Sequence, residues 1–575
     1  MHRCFLWAGR WPALLLLALA VGCGGGSGSG SSGSPIESPD HEPGVPRTTQ
    51  RDAVRLADQA TFGPTEELVR RIRSLGAEAW VASQLQAYPS RYVSGGSDAI
   101  HRHTDPNTGF CDTRGANCWR DWYSSTPLLW DFYRNATTGS DQLRQRVALA
   151  LQQLLVISNL EVSGTYGFRN YHNMLSDHAF GNYRDLLRGV ILSPVMGDYL
   201  NNANNDRDAP NENFARELLQ LFSIGTCELN PDGSLHTGAC VPTYDNDVVR
   251  SYAYALTGWT YPAGGRSPWG CWPAGTNCRH YGGNMVPVAA RHNTEPLALL
   301  SGVSLTAGHS AEQALDGVLD SLMRHPNLAP FVSRYLIQHL VSSNPAPDYV
   351  ARVAQAFRDG RFQSFGTGRT GDMRATVAAI LLDPHAREEL PGNEAGRLRE
   401  PIQLFTGVVR MLNGRTDGDA LGWWWGEEMR QHVFRSPSVF NFYAPDYPLA
   451  GTNLMGPAFG IHNANTALNR LNYVNYLVFW GGSQPATSVP GALGTQVNLS
   501  AFHASAADAG ELVDRIALLA LGEVLPPDQR SVVVDAVDAF PVQTSTSAAR
   551  ETSLTNRVRQ AAYLVLSTPQ YHVVR

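Results

Sequence analysis

Glu212, Arg216 and Gln220 fall four residues apart in PNENFARELLQLFSIG (210–225), as do Asn213 and Glu217. Residues four apart touch on a helix surface. This spacing therefore predicts one continuous polar sector, with Phe214, Leu218, Leu219, Leu221 and Phe222 filling the apolar remainder. Two carboxylates beside a guanidinium can do acid–base work: Glu217 or Glu212 as general base, Arg216 steering an anionic substrate. His178, just ahead of a break at Gly181, adds a group that titrates near neutrality. His178, Glu217, Asp247 and His292 together are ligand types that suit one divalent metal ion able to activate water. The same spacing also suits a solvated helix face, or an ion-pair network that only joins helices, so both readings stay open.

Other candidate chemistry is weaker. GWWWGEEMRQHVFRSPSVFNFYAPDYPLAG (422–451) offers Trp424, Phe442, Tyr443 and Tyr447, rings that can stack on sugars or simply bury area. His101, His103 and Asp105 have the HxHxD spacing of a metal cluster but sit in a Gly/Ser/Asp-rich loop, where solvated histidines are expected. GTGRTG (366–371) matches a dinucleotide fingerprint in letters only, since no apolar strand precedes it. NNANNDRDAP lacks the glycine and closing glutamate of a calcium loop. There is no HExxH, no Ser/His/Asp order and no internal repeat. All 45 basic residues are arginine, which removes Schiff-base, P-loop and Ser–Lys chemistry together.

Helices must position these groups. Asn211 is predicted as the N-cap of the 210–225 helix, with the Asn-rich loop 201–210 delivering the chain to it. Tyr244 opens the next segment, PTYDNDVVRSYAYALTGWT, a predicted helix capped by Asp245 or Asn246 with Tyr252 and Leu256 on its buried side. A helix follows Arg51, broken at Gly63-Pro64, with a Thr65 cap and a short helix after Gly76. LRQRVALALQQLLVIS (143–158) reads as a helix passing from amphipathic to buried, and 170–200 as two more. Helices are predicted over 311–324, 326–342, 347–358, 372–382, 396–413, 459–479, 510–521, 527–540 and 553–567. The fold class is therefore mainly α: a large multi-helical body with short, disulfide-pinned β-hairpin or loop insertions.

Residues 1–22 read as an export signal, with Arg3 and Arg10 ahead of the apolar run Leu14–Val21. Ala20-Val21-Gly22-Cys23 resembles a bacterial lipobox, so Cys23 is the expected lipidation site and 23–49 a Gly/Ser/Pro-rich tether. Residues 50–480 are expected to form the body and 481–575 a helical segment packed on it. Six further cysteines fall into close pairs, Cys111–Cys118, Cys227–Cys240 and Cys271–Cys278, each around turn-rich sequence. Local disulfides in an oxidising compartment follow. A net charge of −6 argues against nucleic acid as a partner.

RLADQATFGPTEELVRRIRSLGAEAWVASQL, LRQRVALALQQLLVIS, HAFGNYRDLLRGVILSPVMGDYL, NENFARELLQLFSIG, YDNDVVRSYAYALTGWT, NLAPFVSRYLIQHLVSSNP, GDMRATVAAILLDPHAR, LREPIQLF and SPSVFNFYAPDY together resemble one bacterial family, the domain of unknown function 1800. The resemblance runs collinearly over about residues 50–575. It implies a large, mostly helical exported protein, a sulfatase-like secreted partner, and no established reaction. It places characteristic polar positions on His178, Asn211, Glu212, Asn213, Arg216, Glu217, Tyr244, Asp247 and His292. Two departures cost carboxylates: His292-Asn293-Thr294 where relatives carry His-Asp, and Gly456-Pro457-Ala458-Phe459 where they carry APEF. The expectation is a cell-envelope lipoprotein, in the outer membrane facing the periplasm or the cell surface. Its expected role is hydrolase-like, with a His/carboxylate site and one divalent metal, acting on an extracellular glycan or other envelope polymer. The alternative is a non-catalytic scaffold that binds a glycan or the secreted partner.

Overall fold

The computed structural model describes residues 47–96, 110–264, 275–387, 392 and 395–575. The leader, Cys23, the tether up to residue 46, the cluster His101, His103 and Asp105, and Cys271 lie outside the described residues. Pro46–Arg575 is one compact unit, so 481–575 shares it with the rest of the body. Among the described residues 53% are helical, and the strands are short antiparallel pairs. None of the described helices is long and apolar enough to cross a membrane. Disulfides Cys111–Cys118 and Cys227–Cys240 are formed. Of the third expected pair, Cys278 is disulfide-bonded and Cys271 falls outside the described residues.

Local signals set most boundaries. Thr49 accepts a hydrogen bond from the Asp52 amide and starts the Gln50–Ala60 helix, so the last residue assigned to the tether belongs to the body. Thr65 caps Glu66–Leu75, and Asp245 caps Asn246–Ala255, which buries Tyr252. Gly63, at φ +125°, lies against the backbone of Gly407; a Cβ there would stand 2.5 Å from the Gly407 Cα.

Three expectations need correction. Asn211 is not an N-cap: the helix is Asn213–Gln220 with Glu212 at the cap position, while Asn211 Oδ1 accepts from the Asn213 amide at 2.9 Å. Residues 396–413 are not one helix. Arg397–Leu398 pairs as a strand with Val573–Val574, and the helix runs Pro401–Met411, begun by the proline that cannot donate to a preceding turn. The 459–479 helix is a 3₁₀ turn, Pro457–Ile461, followed by Ala464–Val478 under an Asn463 cap.

Two helices bury their whole circumference, Gln142–Leu154 and Pro401–Met411. A helix buried all round must find partners for every polar side chain it carries. In Gln142–Leu154, Arg144 donates to the Ser176 carbonyl at 3.0 Å, Arg146 to the His339 carbonyl at 2.5 Å and Gln153 to Glu400 at 3.0 Å. Those bonds fix how Leu328–Leu340, which carries His339, and the start of Pro401–Met411 face one another.

Candidate functional site

The polar sector that spacing predicted on Asn213–Gln220 divides in the folded chain. Glu212 pairs with Arg216 at 3.1 Å and approaches Arg250 at 3.9 Å, and both its carboxylate and Arg216 are more than one-third exposed. Asp247, exposed, pairs with Arg250 at 3.2 Å. These charges form a ladder across two neighbouring helices. Asn213 donates to Asn201 Oδ1 at 3.3 Å, tying the Asn-rich loop to the helix. Glu217 alone turns inward. It is buried, one carboxylate oxygen has no hydrogen-bond partner, and burial raises its carboxyl above the usual range against the pull of Arg216. Half-buried Tyr244 feels the charges of both Arg216 and Glu217, and the Tyr199 hydroxyl feels Glu217.

The histidines go elsewhere. His178 ends the Thr165–His178 helix, where burial lowers its pKa and the nearest acidic fields are Asp185 and Asp177. His292 is buried; its Nδ1 lies 2.9 Å from the Thr257 carbonyl, and its ring meets His309 edge-on at 5.3 Å. His178, Glu217, Asp247 and His292 therefore do not form the expected metal set. Among the described residues no group of three or more His, Cys, Asp or Glu is placed to hold a metal ion. Asp247 is exposed and paired with Arg250, whereas His292 is buried against the Thr257 carbonyl and His309. Trp424, half exposed, stacks on Trp425 at 5.3 Å in the π-helical turn Ala420–Trp425.

Tyr443 leads to a site that single-helix spacing does not reveal. A cleft of about 340 Å³ is walled by Phe331 and Tyr335 of Leu328–Leu340, by Phe440, and by Leu221 at the end of the 213–220 helix. Its inner end is Gln153, His339 and Tyr443. Beneath lies Glu400, 2% exposed, whose Oε2 accepts from Tyr443 at 2.9 Å, Gln153 at 3.0 Å and Gln431 at 2.7 Å. Glu400 stands at the N-terminus of Pro401–Met411 but does not cap it. Gln431 does so instead, accepting from the Ile402 amide at 3.1 Å while donating to Glu400. The helix dipole favours an anion there. Burial opposes the Glu400 charge, but Arg146 (3.8 Å away), Arg397 and the donated hydrogen bonds outweigh it and hold the carboxyl down at about 2. His339 is pushed the other way: burial, and then the nearby arginines, bring it to about 3, so the ring is neutral. Asn441, at φ +65°, turns the loop that carries Tyr443, a conformation asparagine tolerates.

Sequence reasoning missed Arg146, Gln153, His339, Arg397, Glu400 and Gln431. A usable signal was present: charged and amide residues within otherwise apolar helix phrases, LRQRVALALQQLLVIS and LREPIQLF. Four of the phrases quoted above contribute to this cluster.

A mainly helical body with a charged, buried cluster under a cleft is the class these features define. A family model described as "Protein of unknown function (DUF1800)" matches residues 55–573, and the chain belongs to that family. No curated protein and no solved structure matches it.

Proposed function

We propose that this is an exported envelope protein that recognises an extracellular polymer, in particular a glycan, in the cleft ending on Tyr443. The supporting observation is the pairing of aromatic walls with a floor built to hold still rather than to move protons. A carboxyl near 2 is no proton donor at neutral pH, and its Oε2 already accepts three hydrogen bonds. A histidine near 3 is a poor base. Rigid polar groups behind aromatic surfaces suit binding.

Hydrolysis is a second reading with its own observation, Glu217. A buried carboxyl raised by burial, with a free oxygen, is what a general acid requires. One experiment separates the two. Purified protein is incubated with insoluble cell-wall polysaccharide, binding is scored by depletion from the supernatant, and cleavage by released reducing ends. Recognition predicts binding without release, unchanged in Glu217→Gln. Hydrolysis predicts release that falls at least about 100-fold in Glu217→Gln. A protein that neither binds nor cleaves removes both readings.

Export and lipidation at Cys23 belong to the same proposal, supported by two disulfides in the body. Cys23→Ala should move the protein from the membrane fraction to the soluble fraction. A variant that still sediments with membranes overturns the anchor.

A further inference from the structure

Many surface arginines of the body are ion-paired: Arg184 with Asp316 and Asp320, Arg352 with Asp348 and Asp383, Arg515 with Glu66, Arg530 with Asp514. One face departs from this. Arg47, Arg70 and Arg71 are exposed, Arg73 is half-buried, and none of the four is ion-paired among the described residues. They are close in space. Arg70, Arg71 and Arg73 share the Glu66–Leu75 helix, the Arg47 amide donates to the Arg73 carbonyl at 2.7 Å, and Arg73 Nη1 donates to Gln50 Oε1 at 3.3 Å. At roughly 100° per residue, Arg70 and Arg71 lie on the outward side of that helix, away from buried Val69 and Ile72. The carboxylates nearby are Glu66, Glu67 and Glu78, and Arg515 takes Glu66 at 2.8 Å. Helix amides offset part of the charge of Glu67 and Glu78, each in the first turn of its helix, and helix carbonyls offset part of that of Arg73, in the last. Arg47, Arg70 and Arg71 are the outstanding charges, in a chain whose net charge is −6.

The place of this face in the chain narrows what meets it. Arg47 is the first described residue, so the segment running back to Cys23 enters the body beside these arginines. With lipid on Cys23, a Gly/Ser-rich tether of that length spans about 25–30 Å on average. Screening confines charge attraction to about 8 Å at physiological salt. The tether therefore keeps the body near the bilayer without fixing which side turns to it. A basic face at the attachment point fixes that side wherever the headgroups are acidic. Guanidinium groups suit phosphate in particular, because two parallel N–H groups match two of its oxygens. An acyl anchor joined to a basic patch is also a combination that makes membrane attachment stable.

We infer that Arg47, Arg70 and Arg71 form the face on which the anchored body rests, and that their partners are the phosphate groups of acidic phospholipids in the leaflet carrying the anchor. This rests on lipidation at Cys23 and is independent of what the cleft binds. Three charges are too few to hold the body on a membrane without the anchor, so the face orients rather than attaches.

The test takes the lipidated protein reconstituted into vesicles of phosphatidylcholine alone, or of an equal mixture with phosphatidylglycerol. Flotation reports the anchor. Arginine modification by phenylglyoxal, read residue by residue in peptide mass spectra, reports the face. On the mixed vesicles at low salt, modification of Arg47, Arg70 and Arg71 should slow at least about threefold relative to phosphatidylcholine. The rate should recover in about 1 M salt, where the screening length falls to about 3 Å. Exposed Arg430, outside this face, should not change. Arg70→Gln combined with Arg71→Gln, both on the outward side of their helix, should return Arg47 to its phosphatidylcholine rate with flotation unaltered. Equal rates on the two vesicles overturn the face, and are the result if an acidic protein is its partner instead. Slowing that survives high salt, or that extends equally to Arg430, overturns it as well. Protein that floats with neither vesicle overturns the anchor, and this inference with it.

Discussion

Arg399→Ala should destabilise the protein by about 3–5 kcal/mol, read as a lowered urea midpoint. Its guanidinium is bound at both ends to Asp58 of the Gln50–Ala60 helix, at 2.7 and 3.0 Å, and along its side to the Tyr571 carbonyl at 3.0 Å. It also lies over the Tyr571 ring, 4.5 Å from the centroid. One side chain thus ties the first helix, the strand Arg397–Leu398 and the C-terminal end of the chain. Truncation leaves the Asp58 carboxylate buried with its strongest partner gone, and an uncompensated buried charge is what makes such deletions costly. The same argument predicts rescue. Asp58→Asn combined with Arg399→Met removes both charges and should recover much of the loss, a coupling that a double-mutant cycle measures directly. An unchanged midpoint for Arg399→Ala, or a double variant as weak as the single one, contradicts the account.

Glu400→Gln should cost about 3 kcal/mol at neutral pH, and the cost should vanish in acid. The substitution keeps an oxygen for Tyr443, Gln153 and Gln431 but leaves Arg146 and Arg397 without their carboxylate. The folded carboxyl is held at about 2 against an ordinary 4.5. A group depressed in this way contributes stability that is complete above its unfolded pKa. That contribution is lost as pH falls through the folded value. The window is therefore about pH 5 down to pH 2. Unaltered protein and Glu400→Gln should differ most near pH 7 and converge toward pH 2 in paired urea titrations. Other carboxylates titrate in both proteins and cancel in the difference. A gap that stays constant across that range would show that the charge of Glu400 does not hold the cluster.

Both predictions concern residues that helix periodicity passes over. Periodicity sorts the faces of one helix at a time, and it served well where the decision is local. Thr65 and Asp245 cap helices because their side-chain oxygens reach the amide three residues ahead. The break at Gly63-Pro64 is decided within a few residues, and Cys227 finds Cys240 only 13 positions along the chain. Ranking polar groups by their spacing on one segment failed for the opposite reason. Glu212 and Glu217 sit about one turn apart on the same polar sector, yet one is partly exposed and paired with Arg216 while the other is buried. The buried one lies within the electrostatic reach of Tyr199 and Tyr244, which come from other segments.

The mainly helical class, several caps, the two described local disulfides and the family were all legible in the order of residues. Each depends on neighbours a few positions away, or on collinear phrases. The helix around Arg216 is a different matter. Its charged ladder faces solvent, its Glu217 faces inward, and its last turn helps wall a cleft whose chemistry belongs to residues 146, 153, 339, 397, 400, 431 and 443. Only the tertiary structure could assemble that group. A buried guanidinium or carboxylate is tolerable only when distant segments bring its partner, and no local pattern records which partner arrives.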